Sequence, residues 1–308
     1  MAFDYGHNYL NNFKVIKRKG IYMESSMLKP NELCDVSIGA GCGKAGLTTS
    51  QQIILGLLAG AFIAVGGAAS AVVSHGVADA GVAKLLSGAV FPVGLMLVVM
   101  CGAELFTGNC LMVVPFVDGK ISIKDVLKNW VIVYITNFIG SILIAFLVFQ
   151  SGVFNMSSGK LGGVVIKVAS TKGGLAFGTA FASGIMCNFL VCLAVWGASA
   201  AKDVASKIAI IWFPIMAFVA CGFEHCVANM YFLTAGIFAK SNPIYAQASG
   251  LSPNKMIDMS GIVNNLIPVT LGNIFGGAVM VGLAYYAVYK YIPAKKNSNK
   301  ASLEAKAQ

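Results

Sequence analysis

The feature that most limits what this chain can become is a motif that occurs twice, each time inside a long apolar run. Cys101-Gly102-Ala103-Glu104-Leu105-Phe106-Thr107-Gly108-Asn109 and Cys221-Gly222-Phe223-Glu224-His225-Cys226-Val227-Ala228-Asn229 share Cys-Gly-x-Glu and an asparagine five residues after the glutamate. Each copy interrupts a stretch otherwise long enough to cross a bilayer. Irregular backbone at that depth is tolerated only inside protein or beside a cavity, and an ionisable side chain there is expensive. Paired interruptions at matching positions of two halves point to a transport site near the membrane midplane.

Composition agrees with a membrane setting. Hydrophobic residues make up 57% of the 308 and charged residues 11%, against roughly a quarter charged in soluble domains. Mean hydropathy is +0.77, and the length leaves room for six spans of about 20 residues each. The net charge of +10 sits largely at the ends. Lys14, Lys17, Arg18, Lys19, Lys29 and Lys44 precede the first span, and Lys290, Lys295, Lys296, Lys300 and Lys306 follow the last. Both termini are therefore expected in the cytoplasm at the cell (inner) membrane, which requires an even number of spans. The basic excess reads as topology and lipid headgroup contact, not as a nucleic-acid surface. None of the eight cysteines falls in a C-x-x-C pair, so they read as small buried thiols, without a metal or disulfide framework.

In order along the chain, residues 1–46 read as a polar cytoplasmic segment without a secretory signal, in which Met23 is a candidate alternative start. Residues 47–291 hold the six-helix transmembrane domain, and residues 292–308 a basic cytoplasmic tail. The expected spans are Gln51 to Ser74, Val82 to Val117 with its break, Lys124 to Gln150, Lys172 to Ala200, Ala205 to Phe238 with its break, and Gly261 to Lys290. A Gly/Ser-rich connection, 151–171, joins the halves. A second repeat supports the first: Asn129, Asn137 and Gly140 in the third span recur with the same spacing as Asn265, Asn273 and Gly276 in the sixth. Each half then has three spans, an odd number, so the halves are expected to be inverted across the membrane. The fold expected is an all-α integral membrane protein of six helices in two inverted three-helix repeats, with the second and fifth helices broken.

A neutral-solute pore of aquaporin type would not need a lysine or histidine in its path, and its paired Asn-Pro-Ala signature is absent. The alternative of a different class is a membrane-embedded metal or acid-base enzyme using His225, Glu224 and the nearby thiols Cys221 and Cys226. Zinc sites draw on three or four ligands at recognisable spacing, yet only three histidines are present, and His7 and His75 lie outside the spans. No hydrolase, Walker or dinucleotide-binding string occurs. No cofactor is implied.

The strings Val99 to Asn109, Gly222 to Met230 and Asn265 to Asn273 resemble the formate/nitrite transporter family, over roughly Leu47 to Tyr291. That resemblance implies an aquaporin-like protomer assembled as a homopentamer, with one pore per protomer. It also implies a channel or permease for a small monovalent anion of a weak acid (formate, nitrite or hydrosulfide), proton-linked through a central histidine. Carried over by position, Lys172 is the anion-attracting lysine, His225 the central histidine and Asn188 a pore asparagine. Phe91, Leu95 and Phe218 would form constrictions, with Leu105, Phe106 and Thr107 on the flexible loop. Thr107 is placed to donate to the passing anion. Glu104, Asn109, Glu224 and Asn229 take structural roles at the breaks, the glutamates by accepting free backbone N–H groups. One departure is the run Lys172-Gly173-Gly174-Leu175-Ala176-Phe177-Gly178, where many members carry histidines and then an acid.

Overall fold

A computed structural model describes residues 27–296; the candidate start Met23, the basic residues before Met27 and the lysines after Lys296 lie outside the described residues. The described chain is helical: α1 (Pro30–Ala45), α2 (Thr49–Ser74), α3 (Ala80–Val90), α4 (Val93–Cys101), α5 (Phe106–Asn109), α6 (Val113–Val117), α7 (Ile123–Gln150), α8 (Lys160–Gly173), α9 (Phe177–Ala200), α10 (Val204–Cys221), α11 (Cys226–Ala239), α12 (Pro243–Ser249) and α13 (Met259–Ile274). Beyond α13 the last helix continues as a π-helix over Phe275–Leu283. Six helical stretches are long and apolar enough to cross a membrane, and Phe106–Val117 and Cys226–Ala239 are shorter apolar helices after the breaks.

Polar residues start the spans where the chain enters the apolar layer. The side chains of Thr48, Asp79, Ser122, Asp203 and Asp258 each accept an amide N–H from the first turn of the helix that follows, satisfying donors that an apolar surround would leave bare. Pro92, which lacks an N–H, separates α3 from α4. Gly102 and Gly222, both at φ +74°, end the helices before the breaks in a conformation that costs other residues energy.

The segments read in sequence as a polar leader and a Gly/Ser-rich connection each contain a helix, α1 and α8. α8 buries Leu161, Val165, Ile166 and Ala169 along one side, the spacing of an amphipathic helix. Its glycines read as linker residues in sequence, but Gly162 and Gly163 are seats for Tyr245 and the backbone of Ala248. Lys172 accordingly ends α8 and does not open the fourth span, which begins at Phe177. The loop before the sixth span also contains a helix, α12.

The main core gathers Ile63, Phe91, Leu95, Leu105, Val191, Ile211, Ile215, Phe218 and Val227 from α2, α3 to α5 and α9 to α11. One face of α7 stays open, with Leu127, Val131, Ile135, Ile139 and Leu143 all more than half exposed, as a surface that meets lipid or another subunit would be.

Candidate functional site

Each break is held by the same set of hydrogen bonds. In the first, the Phe106 amide donates to Asn137 Oδ1 at 3.0 Å, while Asn137 Nδ2 donates to the carbonyls of Gly56 at 2.8 Å and Glu104 at 2.9 Å. In the second, the Cys226 amide donates to Asn273 Oδ1 at 2.9 Å, while Asn273 Nδ2 donates to the carbonyls of Gly184 at 2.7 Å and Glu224 at 3.0 Å. One amide side chain per break thus caps the restarting helix and holds the irregular backbone against its neighbour. These groups have no water to turn to at that depth.

The glutamates do something other than the expected capping of backbone. Glu104 Oε1 accepts from Lys44 Nζ at 2.6 Å, and its Oε2 from Asn109 at 2.7 Å and Asn129 at 3.3 Å. Glu224 Oε1 accepts from Lys172 Nζ at 2.7 Å, and its Oε2 from Asn229 at 2.6 Å and Asn265 at 3.2 Å. The reason is that Asn137 and Asn273 already take the amides that open the second half-helices. Each carboxylate is left to pair with a lysine, which makes burying its charge tolerable. The Lys172 ammonium also lies 5.5 Å from the centre of the Phe232 ring, a cation–π distance.

Lys44 therefore occupies the place in the first half that Lys172 occupies in the second, and reading the sequence missed it. The signal was present: Lys44 precedes Gly56 by the same twelve residues by which Lys172 precedes Gly184.

Between the breaks lies a cavity of about 10 Å³, lined by Ile63, Phe91, Leu95, Leu105, Val191, Ile215, Phe218 and His225, which is about the space one water needs. Phe91 meets Phe218 edge to face at 5.6 Å, and Phe218 stacks on the His225 ring at 5.9 Å. Four of the five expected constriction residues are brought together here. Phe106 is not: its ring packs against Trp130 and Tyr134 of α7, with centroids 6.0 and 4.9 Å away. Ile63, Val191 and Ile215 join the lining without a sequence signal, because isoleucine and valine are ordinary in any span. A second cavity, of about 50 Å³, lies between α1, the α5 to α6 restart and α9, beside Lys44, Gly108 and Trp196.

His225 is the polar group of the narrow cavity. Its Nδ1 accepts the amide of Ala228 at 3.0 Å, capping α11, and its Nε2 lies 2.8 Å from Thr107 Oγ1. An imidazole that accepts at Nδ1 carries its neutral-state proton on Nε2, so His225 donates to Thr107. Asn188, expected to face the pore, sits behind Thr107: its Nδ2 donates to the carbonyls of Thr107 at 3.1 Å and Asn273 at 2.6 Å. Its place is that of a brace between the two breaks. Among the described residues, no group of three or more His, Cys, Asp or Glu is arranged to hold a metal ion.

This geometry meets known proteins directly. A family model described as "Formate/nitrite transporter" matches residues 31–287. A probable formate transporter of Methanothermobacter thermautotrophicus is 43% identical, over 78% of this chain and 89% of that protein. The formate channel FocA of Escherichia coli K12 is 37% identical, over 85% and 95%. A solved structure described as a pentameric formate channel with formate bound superposes with a TM-score of 0.73 at 39% identity, covering 78% of this chain and 97% of that one. These relatives are channels and transporters, not enzymes. The chain is a multi-pass membrane protein that belongs to the formate/nitrite transporter family.

Proposed function

We propose that the chain forms a homopentameric formate channel in the cell (inner) membrane, with both termini cytoplasmic and one pore in each protomer. The observation that carries this reading is the closed apolar ring around the Thr107–His225 pair, 2.8 Å apart. The pentamer and bound formate are those of the solved structure described above, and the curated relatives are named for formate. Nitrite and hydrosulfide stand as second passengers, because the glycine run after Lys172 departs from the pattern of many members.

A bare anion at the bilayer centre costs from about 3 to above 10 kcal/mol. Protonating a weak acid three units above its pKa costs only about 4 kcal/mol. A ring of Phe91, Leu95, Leu105 and Phe218 therefore favours the neutral acid over the ion. His225 holds its Nε2–H toward Thr107, ready to donate to the passenger's oxygen instead. Because Nδ1 is engaged by Ala228, the ring serves as a hydrogen-bond donor in its neutral form, and the passenger brings its proton from vestibule water. Transport is then proton-linked, with His225 as the central polar station.

Internal pH in proteoliposomes, after external formate, nitrite or hydrosulfide, tests this directly against empty liposomes. A protein-dependent pH change with formate is expected, and its size ranks the three anions. His225→Phe removes that response while leaving the assembly intact by size-exclusion chromatography. Undiminished flux in the phenylalanine variant sinks the histidine role, and no response to any of the three anions sinks proton-linked transport.

A further inference from the structure

We propose that Lys84 is the residue that captures anions at the Lys172 end of the pore, an inference that rests on the anion-channel reading above. Lys172 and Glu224 are 2.7 Å apart, so the two charges cancel as a unit and their combined field falls off faster than that of a single charge. Drawing an anion from bulk water takes a cation without a counter-ion near it.

Lys84, exposed on α3, is such a cation. Its Nζ lies 3.2 Å from where a Cβ on Gly222 would stand, and Gly222 precedes the lysine-binding Glu224 by two residues. The ammonium thus flanks the backbone that seats Lys172. The ion pairs among the described residues are Lys44–Glu104, Lys172–Glu224 and Lys290–Asp35, and Lys84 is in none of them. The acid nearest to it along its own helix, Asp79, accepts the Val82 amide at 2.8 Å.

The competing role for Lys84 is to cap the C-terminal carbonyls of α10. That end is already closed by its own backbone, with the Phe223 amide donating to Phe218 O at 2.9 Å and the Gly222 amide to Val219 O at 3.0 Å, and no hydrogen bond joins Lys84 to it. At the other break, the corresponding position of Gly102 has nothing within 4 Å. Among the described residues, no lysine approaches Gly102 as Lys84 approaches Gly222.

Initial formate uptake against concentration, at low and high salt, reads this charge. Lys84→Gln is expected to raise KM about two- to fivefold at low ionic strength, Lys84→Glu further, and Lys84→Arg to restore it, with the maximal rate unchanged. The difference shrinks at 1 M salt, where the screening length is about 3 Å. Equal KM values at low salt, or a loss confined to the maximal rate, overturn the assignment.

A second measurement needs no transport at all. Cys221, exposed next to Gly222, is labelled by anionic and cationic thiosulfonates of similar size, with Cys101 replaced by serine. The anionic reagent reacts faster, and its advantage falls about threefold in Lys84→Gln. An unchanged ratio, or a Cys221 that neither reagent reaches, removes Lys84 from the mouth. A channel inactive toward every anion but with this charge-selective labelling indicts the transport reading and not Lys84.

Discussion

Thr107 Oγ1 and His225 Nε2 meet at 2.8 Å, joining the restart of one broken helix to that of the other. Neither residue reaches solvent, with Thr107 at 0% and His225 at 3% exposure. Thr107→Val keeps the shape and removes the acceptor. The stranded Nε2–H is expected to cost about 1 to 3 kcal/mol, with reduced formate flux, while Thr107→Ser stays near the original. Thermal unfolding in detergent beside liposome flux checks this. A valine variant matching serine in both would dismiss the hydrogen bond.

Asn137 and Asn273 are expected to be the least replaceable residues outside the pore. Asn273→Leu strands one buried amide and two buried carbonyls, at about 1 to 3 kcal/mol each. Little folded assembly should survive solubilisation, and Asn137→Leu should fail alike. Asn273→Asp retains the acceptor but not the donors, and falls between. Size-exclusion profiles of the three variants rank them.

The lysine–glutamate pairs call for a double-mutant cycle. Lys44→Met leaves the Glu104 side chain, 7% exposed, facing a lost partner whose own exposure is 29%. Breaking a buried pair costs about 3 to 5 kcal/mol, and solvent at Lys44 reduces that figure. The Lys172 side chain is only 17% exposed, so Lys172→Met should destabilise more than Lys44→Met. Adding Glu104→Gln or Glu224→Gln should recover most of each loss in thermal unfolding. Failure of the second substitution to help would mean that the lysines act through packing and not charge.

Gly102→Ala and Gly222→Ala separate strain from crowding. Gly222, at φ +74° and ψ 28°, lies in the left-handed region where an alanine pays about 1 to 2 kcal/mol, whereas Gly102, at φ +74° and ψ 91°, lies outside it in a conformation less accessible still to a side chain. Only Gly222 has a neighbour, the movable end of Lys84. The larger loss of stability is expected in Gly102→Ala, with a change in KM from Gly222→Ala alone. A matching KM change in Gly102→Ala would contradict that distinction.

Much of this was legible in the sequence because polar residues stand out against an apolar background. Glu104, Glu224 and the asparagines eight residues apart marked both breaks and the pairing of halves. Three things were hidden for physical reasons. The helices α1 and α8 are rich in glycine, and glycine packed against Tyr245 looks in sequence like glycine in a linker. Lys44 stood among other lysines before the first span, where topology alone accounts for a basic residue. Leu105 caps α5 and Phe106 is its first residue, and a four-residue helix is too short for a periodicity to tell that the leucine faces the cavity and the phenylalanine turns to α7.

Leu105 and His225 are equivalent positions, each the residue from which a half-helix restarts, and both line the same small cavity. Two identical halves would have to offer either two imidazoles or none. Joining the halves in one polypeptide lets them diverge at this position, so that a single titratable group faces a single leucine. A covalently joined, unequal pair of halves thus gives the cavity one chemical centre, with an imidazole on one wall and an aliphatic side chain on the other.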